Sequence, residues 1–576
     1  MRHKFKEVHL KSSSFHKPPR EVLDQLVFFY NKKNYLFVIE QAQILLENYS
    51  KEYSIWNILG AAATQIGDSK KAIDAFKNVI LLKPDFVEAY SNLGVALYNL
   101  GMLQEAINSY KKAISIKPDY ANAHYNMGRA FKQIGRFNDS IKAFNDSLSI
   151  KPDYVDAYCN MGVILHEQGK LDKAIEVYIK ALSIKPDYAE VYCNLGNVLR
   201  DKFKLKDSIK MYYKAISIKP DFAEALCNIG VSLHDLGKYS DAIIAFRKTI
   251  SLNPNYAEAH LCLSYVLLNS GILKEGLNEF EWRWKTSNLI KQQRYFLQSL
   301  WDKKKYMHGK RILLWSEQGI AETINWSSYL SFINSKDEHF ILECQEKLVP
   351  LFKRSFPNIK IKKENRDLDL KREDFDFHLP LGSLYKQFFY EISQNVRPKP
   401  FLFPDQLRVN FWKQRLKSLG HGPFIGICWK SSNITSTRQP NYAKISDLYP
   451  VLKLPNVTFI NLQNSEFKDD LTKTYSEIGI KIHNFDDLNQ YDDLDDVASL
   501  CSALDVVISI KTTVAFIAAG VGTITKLANW RQSSWNNLLF NPSGPLVKIF
   551  ERNTEDSWEN IYHLIAEDIL KYKNKK

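Results

Sequence analysis

Two textures of apolar and polar residues divide the chain. Up to about residue 285, small and aromatic residues return on a fixed ruler of 34 residues. Pro84, Pro118, Pro152, Pro186, Pro220 and Pro254 mark that ruler. Ala–aromatic pairs such as Ala75–Phe76, Ala143–Phe144 and Ala245–Phe246 supply small-then-large packing on the second helix of a unit. One glycine column (Gly60, Gly94, Gly128, Gly162, Gly196, Gly230) lets two helices approach closely. A second (Gly67, Gly101, Gly135, Gly169, Gly237, Gly271) falls where the chain turns between helices and favours a residue tolerant of positive φ; only Phe203 interrupts it. Lys117-Pro118-Asp119 and its repeats end one unit and begin the next, because proline has no donor to continue a helix. The pattern predicts stacked helix–turn–helix units over about residues 53–285, with a weaker unit ahead of them from about Glu21 to Ser50.

From Gly309 the texture changes to short β-branched or aliphatic runs that alternate with amphipathic stretches. Arg311–Trp315, Phe340–Cys344 and Asp374–Pro380 read as strands, with helices over Glu322–Ile333 and up to about Phe356. Arg397, Pro398, Lys399, Pro400 and Pro404 punctuate an extended connection. A second series has strands at Phe424–Trp429, Val457–Leu462, Asp505–Ile510 and Val547–Phe550, with helices near Ser446–Leu452, Phe467–Ile478 and Asp495–Ala503. This alternation predicts two Rossmann-like halves, each a parallel sheet covered by helices, with a cleft between them. Ligands in such sheets sit at the carboxyl ends of strands, against helix N-termini. The expected organisation is a disordered basic segment (1–20), a helical solenoid (21–290), a first half (291–396), a linker (397–421) and a second half with a C-terminal helix (422–576).

A 34-residue helix–turn–helix period is that of the tetratricopeptide (TPR) repeat, which the first half of the chain closely resembles. Leu313-Leu314-Trp315-Ser316-Glu317-Gln318-Gly319-Ile320, following a capped array, resembles bacterial TPR–glycosyltransferase proteins. Their catalytic half is similar to the heptosyltransferase and O-linked N-acetylglucosamine transferase type. Glu281-Trp282-Arg283-Trp284, Gly426-Ile427-Cys428-Trp429 and Leu504-Asp505-Val506-Val507-Ile508-Ser509 leading into Thr512-Thr513 carry the same likeness. The resemblance implies a TPR superhelix, an α-solenoid, followed by α/β halves in a GT-B arrangement. It also implies metal-independent transfer of a sugar from a nucleotide-sugar to a protein or peptide acceptor held by the TPR groove. Two departures stand out. Ala321-Glu322 replaces the usual Gly-Asp, and Lys511 and Phe516 stand where an Asp and a His are usual.

Glycosyl transfer needs a base at the acceptor hydroxyl, charge relief for the leaving diphosphate and a cleft that orients both. Glu322, at a strand-to-helix turn, is the candidate base; an ordinary helix-N-terminal carboxylate is its plainer reading. Thr512 and Thr513, opening a helix, and Lys511, ending a buried strand, are candidate phosphate ligands, as are Lys430, Ser431 and Arg438 beyond the strand ending at Trp429. Asn92, Asn126, Asn160, Asn194 and Asn228 form a column on the first helix of each unit, which lines the concave face of a TPR superhelix. A ladder of amides, each both donor and acceptor, can pair with the backbone of an extended peptide.

Composition narrows the alternatives. The net charge of +14 is diffuse, with a contribution from the lysines and arginines at the two ends, so attraction to acidic partners or anionic substrates is favoured over nucleic-acid binding. No stretch of about 18 apolar residues could span a membrane, and no N-terminal signal peptide is legible, so a cytoplasmic protein is expected. Cys159, Cys193 and Cys227 repeat at 34 residues, with Cys262 one off register; at roughly 10 Å between successive helices they pack rather than pair or hold a metal. The Asp pairs at Asp367/Asp369, Asp374/Asp376 and Asp492–Asp496 flank predicted helices and turns, and no metal or cofactor is expected beyond the nucleotide-sugar substrate. Walker A, His-Glu-x-x-His and Gly-x-Ser-x-Gly patterns are absent. Exposed solenoid ends favour homo-oligomers. The main alternative to a transferase is a non-catalytic scaffold with a degenerate GT-B half; a transferase acting on a cell-surface glycan is a third reading.

Overall fold

The computed structural model describes residues 17–302, 309–333, 339–367, 369–389, 400–420, 422–431, 442–530, 546–552 and 556–573. Most of the basic N-terminal segment and the candidate ligand Arg438 lie outside the described residues. The chain forms two compact units, residues 1–202 and 203–576.

Sixteen helices run from α1 (Arg20–Asn31) and α2 (Tyr35–Asn48) to α15 (Ala257–Asn269) and α16 (Leu273–Phe280), in helical hairpins within each unit. The weak first unit read from Glu21 is the α1–α2 hairpin. Both glycine columns have physical reasons. A Cβ at Gly60, Gly128 or Gly230 would stand 2.7 Å from a ring carbon of Phe76, Phe144 or Phe246, so the aromatic of the second helix lies directly on the glycine of the first. Gly94 and Gly162 carry Tyr110 and Tyr178 in the same way. The second column turns the chain at φ between 71° and 83°, the left-handed region that glycine enters without penalty. Lys33 (φ 58°) and Phe203 (φ 61°) take the same turn with side chains. Phe203 is half-buried and packs against the apolar cluster of the second sheet, which offsets the strain of its backbone.

Beyond α16 come two all-parallel sheets. The first, in the order β1-β5-β2-β3-β4, contains β1 (Ser299–Leu300), β2 (Arg311–Trp315), β3 (His339–Cys344), β4 (Lys360–Lys363) and β5 (Phe377–Pro380). Its helices are α17 (Ile320–Ser327), α18 (Val349–Ser355) and α19 (Leu384–Gln387). The proline-marked connection expected to be extended leads into a helix, α20 (Gln406–Lys417), capped by Asp405, whose carboxylate accepts from Leu407 N (2.8 Å).

The second sheet runs β11-β10-β9-β6-β7-β8. Its strands are β6 (Phe424–Cys428), β7 (Thr458–Asn461), β8 (Ile482–His483), β9 (Val506–Ser509), β10 (Ile524–Trp530) and β11 (Val547–Arg552). Helices α21 (Tyr449–Leu452), α22 (Lys468–Ile478), α23 (Leu494–Ala503), α24 (Thr513–Val521) and α25 (Trp558–Lys573) cover it. These are two Rossmann-like halves. One apolar core runs from Leu277 and Phe280 of α16 through Ile312, Leu314 and Trp326 to Ala515, Phe516 and Ile517 of α24. It fixes the last hairpin and the two halves as a single packed body. Among the described residues no helix is long and apolar enough to cross a membrane.

Candidate functional site

The carboxyl ends of β6 and β9 build the centre of the second half. The two strands are neighbours with Cys428 opposite Ser509, so Lys430 and Lys511, each two residues further on, leave the sheet on the same edge. Lys511, Thr512 and Thr513 are half-buried there. Thr512 is the N-cap of α24, yet its hydroxyl makes no capping bond. It turns inward, 3.0 Å from Ser509 Oγ and 3.6 Å from Cys428 Sγ. The N–H groups of Thr513 and Val514 therefore lack an acceptor among the described residues. Open amides at the positive end of a nine-residue helix, flanked by two lysines, attract an anion. Burial pushes the Cys428 thiol up to about 11, so it packs rather than reacts.

The neighbouring loop is already satisfied. Gln463, fully buried, accepts through Oε1 from Trp429 N (3.1 Å) and Lys430 N (2.9 Å). Lys430 Nζ pairs with Asp470 on α22 at 2.9 Å, and the same carboxylate oxygen accepts from Trp429 Nε1 (3.1 Å). Lys430 can meet a phosphate only by sharing its charge with Asp470. Ser431 is half-buried beside it. Phe516 is only 2% exposed and belongs to the core, so this position serves packing.

Glu322 lies in the first turn of α17, third after the cap Gly319. Its carboxylate folds back over the helix start, Oε2 standing 2.8 Å from the place of a Cβ at Gly319. It makes no hydrogen bond or ion pair within the described residues, and it is half-buried. Helix α17 packs against α24. Tyr265 of α15 senses Glu322 as well: burial first, then charges including those of Glu317 and Glu322, raises its phenol. The carboxylate thus sits where the last hairpin, the first sheet and the second half converge.

Two motif segments noted in the sequence, Glu281–Trp284 and Leu313–Ile320, turn out to be one structural joint. Arg283 and Glu317, 0% and 1% exposed, form a two-point ion pair, Nε–Oε2 2.8 Å and Nη2–Oε1 3.0 Å. Gly382 N donates to Glu317 Oε1 (2.7 Å), and Arg283 also reaches Ser383 Oγ (2.7 Å) and Glu281 Oε1 (3.0 Å). Burial opposes the charge on Arg283, but Glu317 and Glu281 more than compensate and hold it protonated. Sequence reasoning assigned no role to Gln463, Asp470 or this pair. The signal for the pair was present, since a charged residue inside an otherwise apolar motif needs a partner; Gln463 carried no such mark.

The amide column is split between the units, with Asn92, Asn126, Asn160 and Asn194 in the first and Asn228 in the second; all five are half-buried. Asn160 donates to Tyr125 OH (3.2 Å) and Asp156 O (3.0 Å). The side chains of Asn92, Asn126 and Asn194 make no hydrogen bond within the described residues, which leaves their amides available.

Comparison with known proteins agrees with the array. Residues 60–101, 96–135, 128–169, 163–202 and 196–237 match the TPR repeat model, and 223–256 match the tetratricopeptide repeat model. The N-terminal array is therefore made of TPR units. Protein FlbA of Caulobacter vibrioides is 28% identical over 310 residues, which cover 51% of this chain and 52% of that protein. The match thus spans about half the length of this curated relative. Among solved structures, MamA is 31% identical, over 28% of this chain and 95% of that one, with a TM-score of 0.27. YrrB, described as a TPR protein with an unusual peptide-binding site, is 20% identical over 33% of this chain and 97% of that one, with a TM-score of 0.29.

Proposed function

We propose that the protein is a glycosyltransferase of GT-B type that moves a sugar from a nucleotide-sugar to a protein or peptide acceptor held on the TPR array. The observation that carries this reading is the open N-terminus of α24, where the inward turn of Thr512 leaves the Thr513 and Val514 amides without acceptors beside Lys511 and Lys430. Those groups would hold the donor's diphosphate and stabilise it as it leaves. Glu322 would take the proton of the acceptor hydroxyl while that oxygen bonds to the anomeric carbon and the carbon–phosphate oxygen bond breaks. General-base catalysis of this kind contributes about 10²- to 10⁴-fold. The amides of Asn92, Asn126, Asn160 and Asn194, all within one unit, would pair with the acceptor's backbone.

A second reading, a non-catalytic scaffold, draws support from the Gln463 plug over the β6 loop and from Phe516 in the core. Calorimetric titration with UDP, GDP, ADP and CMP separates the two. One nucleotide binding at micromolar affinity, about tenfold or more weaker in Lys511→Ala, is expected of the transferase. A folded protein that binds none of them is a scaffold.

A further inference from the structure

The 1–202 unit carries a basic spot that the amide column does not explain. Helices α5 (Val87–Asn99), α7 (Ala121–Gln133), α9 (Val155–Glu167) and α11 (Ala189–Asp201) are the first helices of successive repeats, and each touches the next. Arg129 lies between Asn126 and Lys132 on the surface of α7, three residues from each. It stands over the rings of Tyr98 on α5 (4.8 Å) and Tyr125 (5.9 Å), and Tyr125 OH accepts from Asn160 of α9 (3.2 Å). The guanidinium is thus held on the face that the first helices share. Neither Arg129 nor Lys132 makes a hydrogen bond or ion pair among the described residues. Both are half-buried, and none of their nitrogens is cut off from solvent. Burial lowers the Lys132 ammonium from its ordinary range, and the Arg129 charge adds to this against the pull of Glu167.

Two like charges on one helix face repel, and a carboxylate relieves both, accepting from the guanidinium fork and from the ammonium. The spot is confined. One repeat before and one repeat after Arg129, the same position holds Val95 and Val163, both half-buried. Helices α5, α9 and α11 carry Glu88, Asp156 and Glu190 in their first turns, whereas α7 contains no acidic residue. Those acids oppose a polyanion, so a single carboxylate on an extended chain fits where a nucleic acid does not. We propose that this face reads an acidic side chain of the acceptor peptide at Arg129 and Lys132, with apolar residues of the same peptide against Val95 and Val163. Packed helices lie about 8–10 Å apart and an extended chain advances about 3.3 Å per residue, so the apolar residues fall about three positions to either side of the acid. The amide column grips backbone of any sequence; this spot supplies the selectivity. The inference rests on the part of the transferase reading that puts a peptide on the array, and names the class of peptide.

Fluorescence polarisation on the full chain tests it. The probes are fluorescein-labelled twelve-residue Ala/Ser peptides with a central Glu, Gln or Lys and a valine three positions to either side. The Glu probe is expected to bind about 3- to 10-fold more tightly than the Gln probe, and the Lys probe most weakly. Added salt should narrow the gap, because half-exposed charges are screened. Arg129→Gln/Lys132→Gln should erase the preference and leave the affinity of the Gln probe unchanged. Arg129→Glu/Lys132→Glu should turn the preference towards the Lys probe, which a merely structural role for the two cations would not do. Equal binding of the Glu and Gln probes, weakened alike by Asn92→Ala/Asn126→Ala, would overturn this inference and leave the acceptor reading standing. A preference for Glu that survives Arg129→Gln/Lys132→Gln would overturn it too, by putting the acid elsewhere. A folded chain that binds no probe would overturn both this inference and the peptide acceptor.

Discussion

Replacing Glu317 by glutamine tests the joint between the last hairpin and the first sheet. The substitution keeps the shape and removes one charge. The glutamine oxygen can still accept from Arg283 Nη2 and Gly382 N, where Oε1 now stands at 3.0 and 2.7 Å. Its NH₂ then faces Arg283 Nε, so a 2.8 Å charge-assisted bond becomes donor against donor. The guanidinium, 0% exposed, keeps Glu281 as its one remaining counter-charge among the described residues, with a side chain 32% exposed and screened by water. Breaking one side of a buried pair costs about 3–5 kcal/mol, a large part of the roughly 5–15 kcal/mol that stabilises a domain. Removing both charges in Arg283→Met/Glu317→Leu should cost less than either single change, because no buried charge is left uncompensated. Urea unfolding followed by tryptophan fluorescence reads this directly: every tryptophan but Trp56 lies in the 203–576 unit. A loss under about 1 kcal/mol for Glu317→Gln, or a double variant no better than the worse single one, would refute the reasoning.

Further outcomes are expected elsewhere. Gly128→Ala drives a Cβ to 2.7 Å from the Phe144 ring and should destabilise the array by about 1–3 kcal/mol despite alanine's better helix propensity, with partial rescue by Phe144→Leu; circular-dichroism melts check both. Glu322→Gln should lower kcat at least about 100-fold with donor KM nearly unchanged if the carboxylate is the base, and leave it unchanged if it only tends its helix. Asn92→Ala/Asn126→Ala should weaken acceptor-peptide binding without moving the melting temperature, as measured by fluorescence polarisation. Burial lowers His378 to about 4, against roughly 6.5 in an unfolded chain. Between those values the unfolded state binds more protons, so stability falls as pH drops from about 6.5 to 4. The slope of the unfolding midpoint over that window should flatten in His378→Asn.

The sequence revealed most where chemistry repeats. A 34-residue ruler, with glycine sixteen residues ahead of its aromatic, specifies a hairpin so fully that even the atypical first unit was legible. Strands were legible where they are aliphatic and central, as at Arg311–Trp315 and Val506–Ser509. Strand β10 was missed because Lys526 interrupts it; its charge is buried but held by Asp568 of α25 at 2.8 Å, a partner 42 residues away in sequence. Strand β4 reads Lys-Ile-Lys-Lys and lies on a sheet edge, where apolar periodicity is not required. Helix α20 hid behind its prolines, although Asp405 announced its start. The candidate site was legible as a set of strand ends, but the direction of a hydroxyl was not. Nothing in Ser509–Thr513 says that Thr512 turns inward and leaves its helix uncapped. Similarly, only the fold brings Gln463 onto the β6 loop or Tyr98 against Arg129.

Phe203 bears on how this chain can change over evolutionary time. Solenoids usually gain or lose whole units by duplication and deletion, since each unit meets only its neighbours. Here the turn at Phe203 rests on the cluster of the second sheet, while Leu277, Phe280 and Arg283 are locked to the first. The stretch between them is spanned at both ends. Adding or removing a 34-residue unit inside it would shift one anchor by a full repeat and break a contact that the other holds in register. The helices from Leu205 to Phe280 therefore behave as a segment of fixed length, closed to the recombination that otherwise makes repeat arrays so variable.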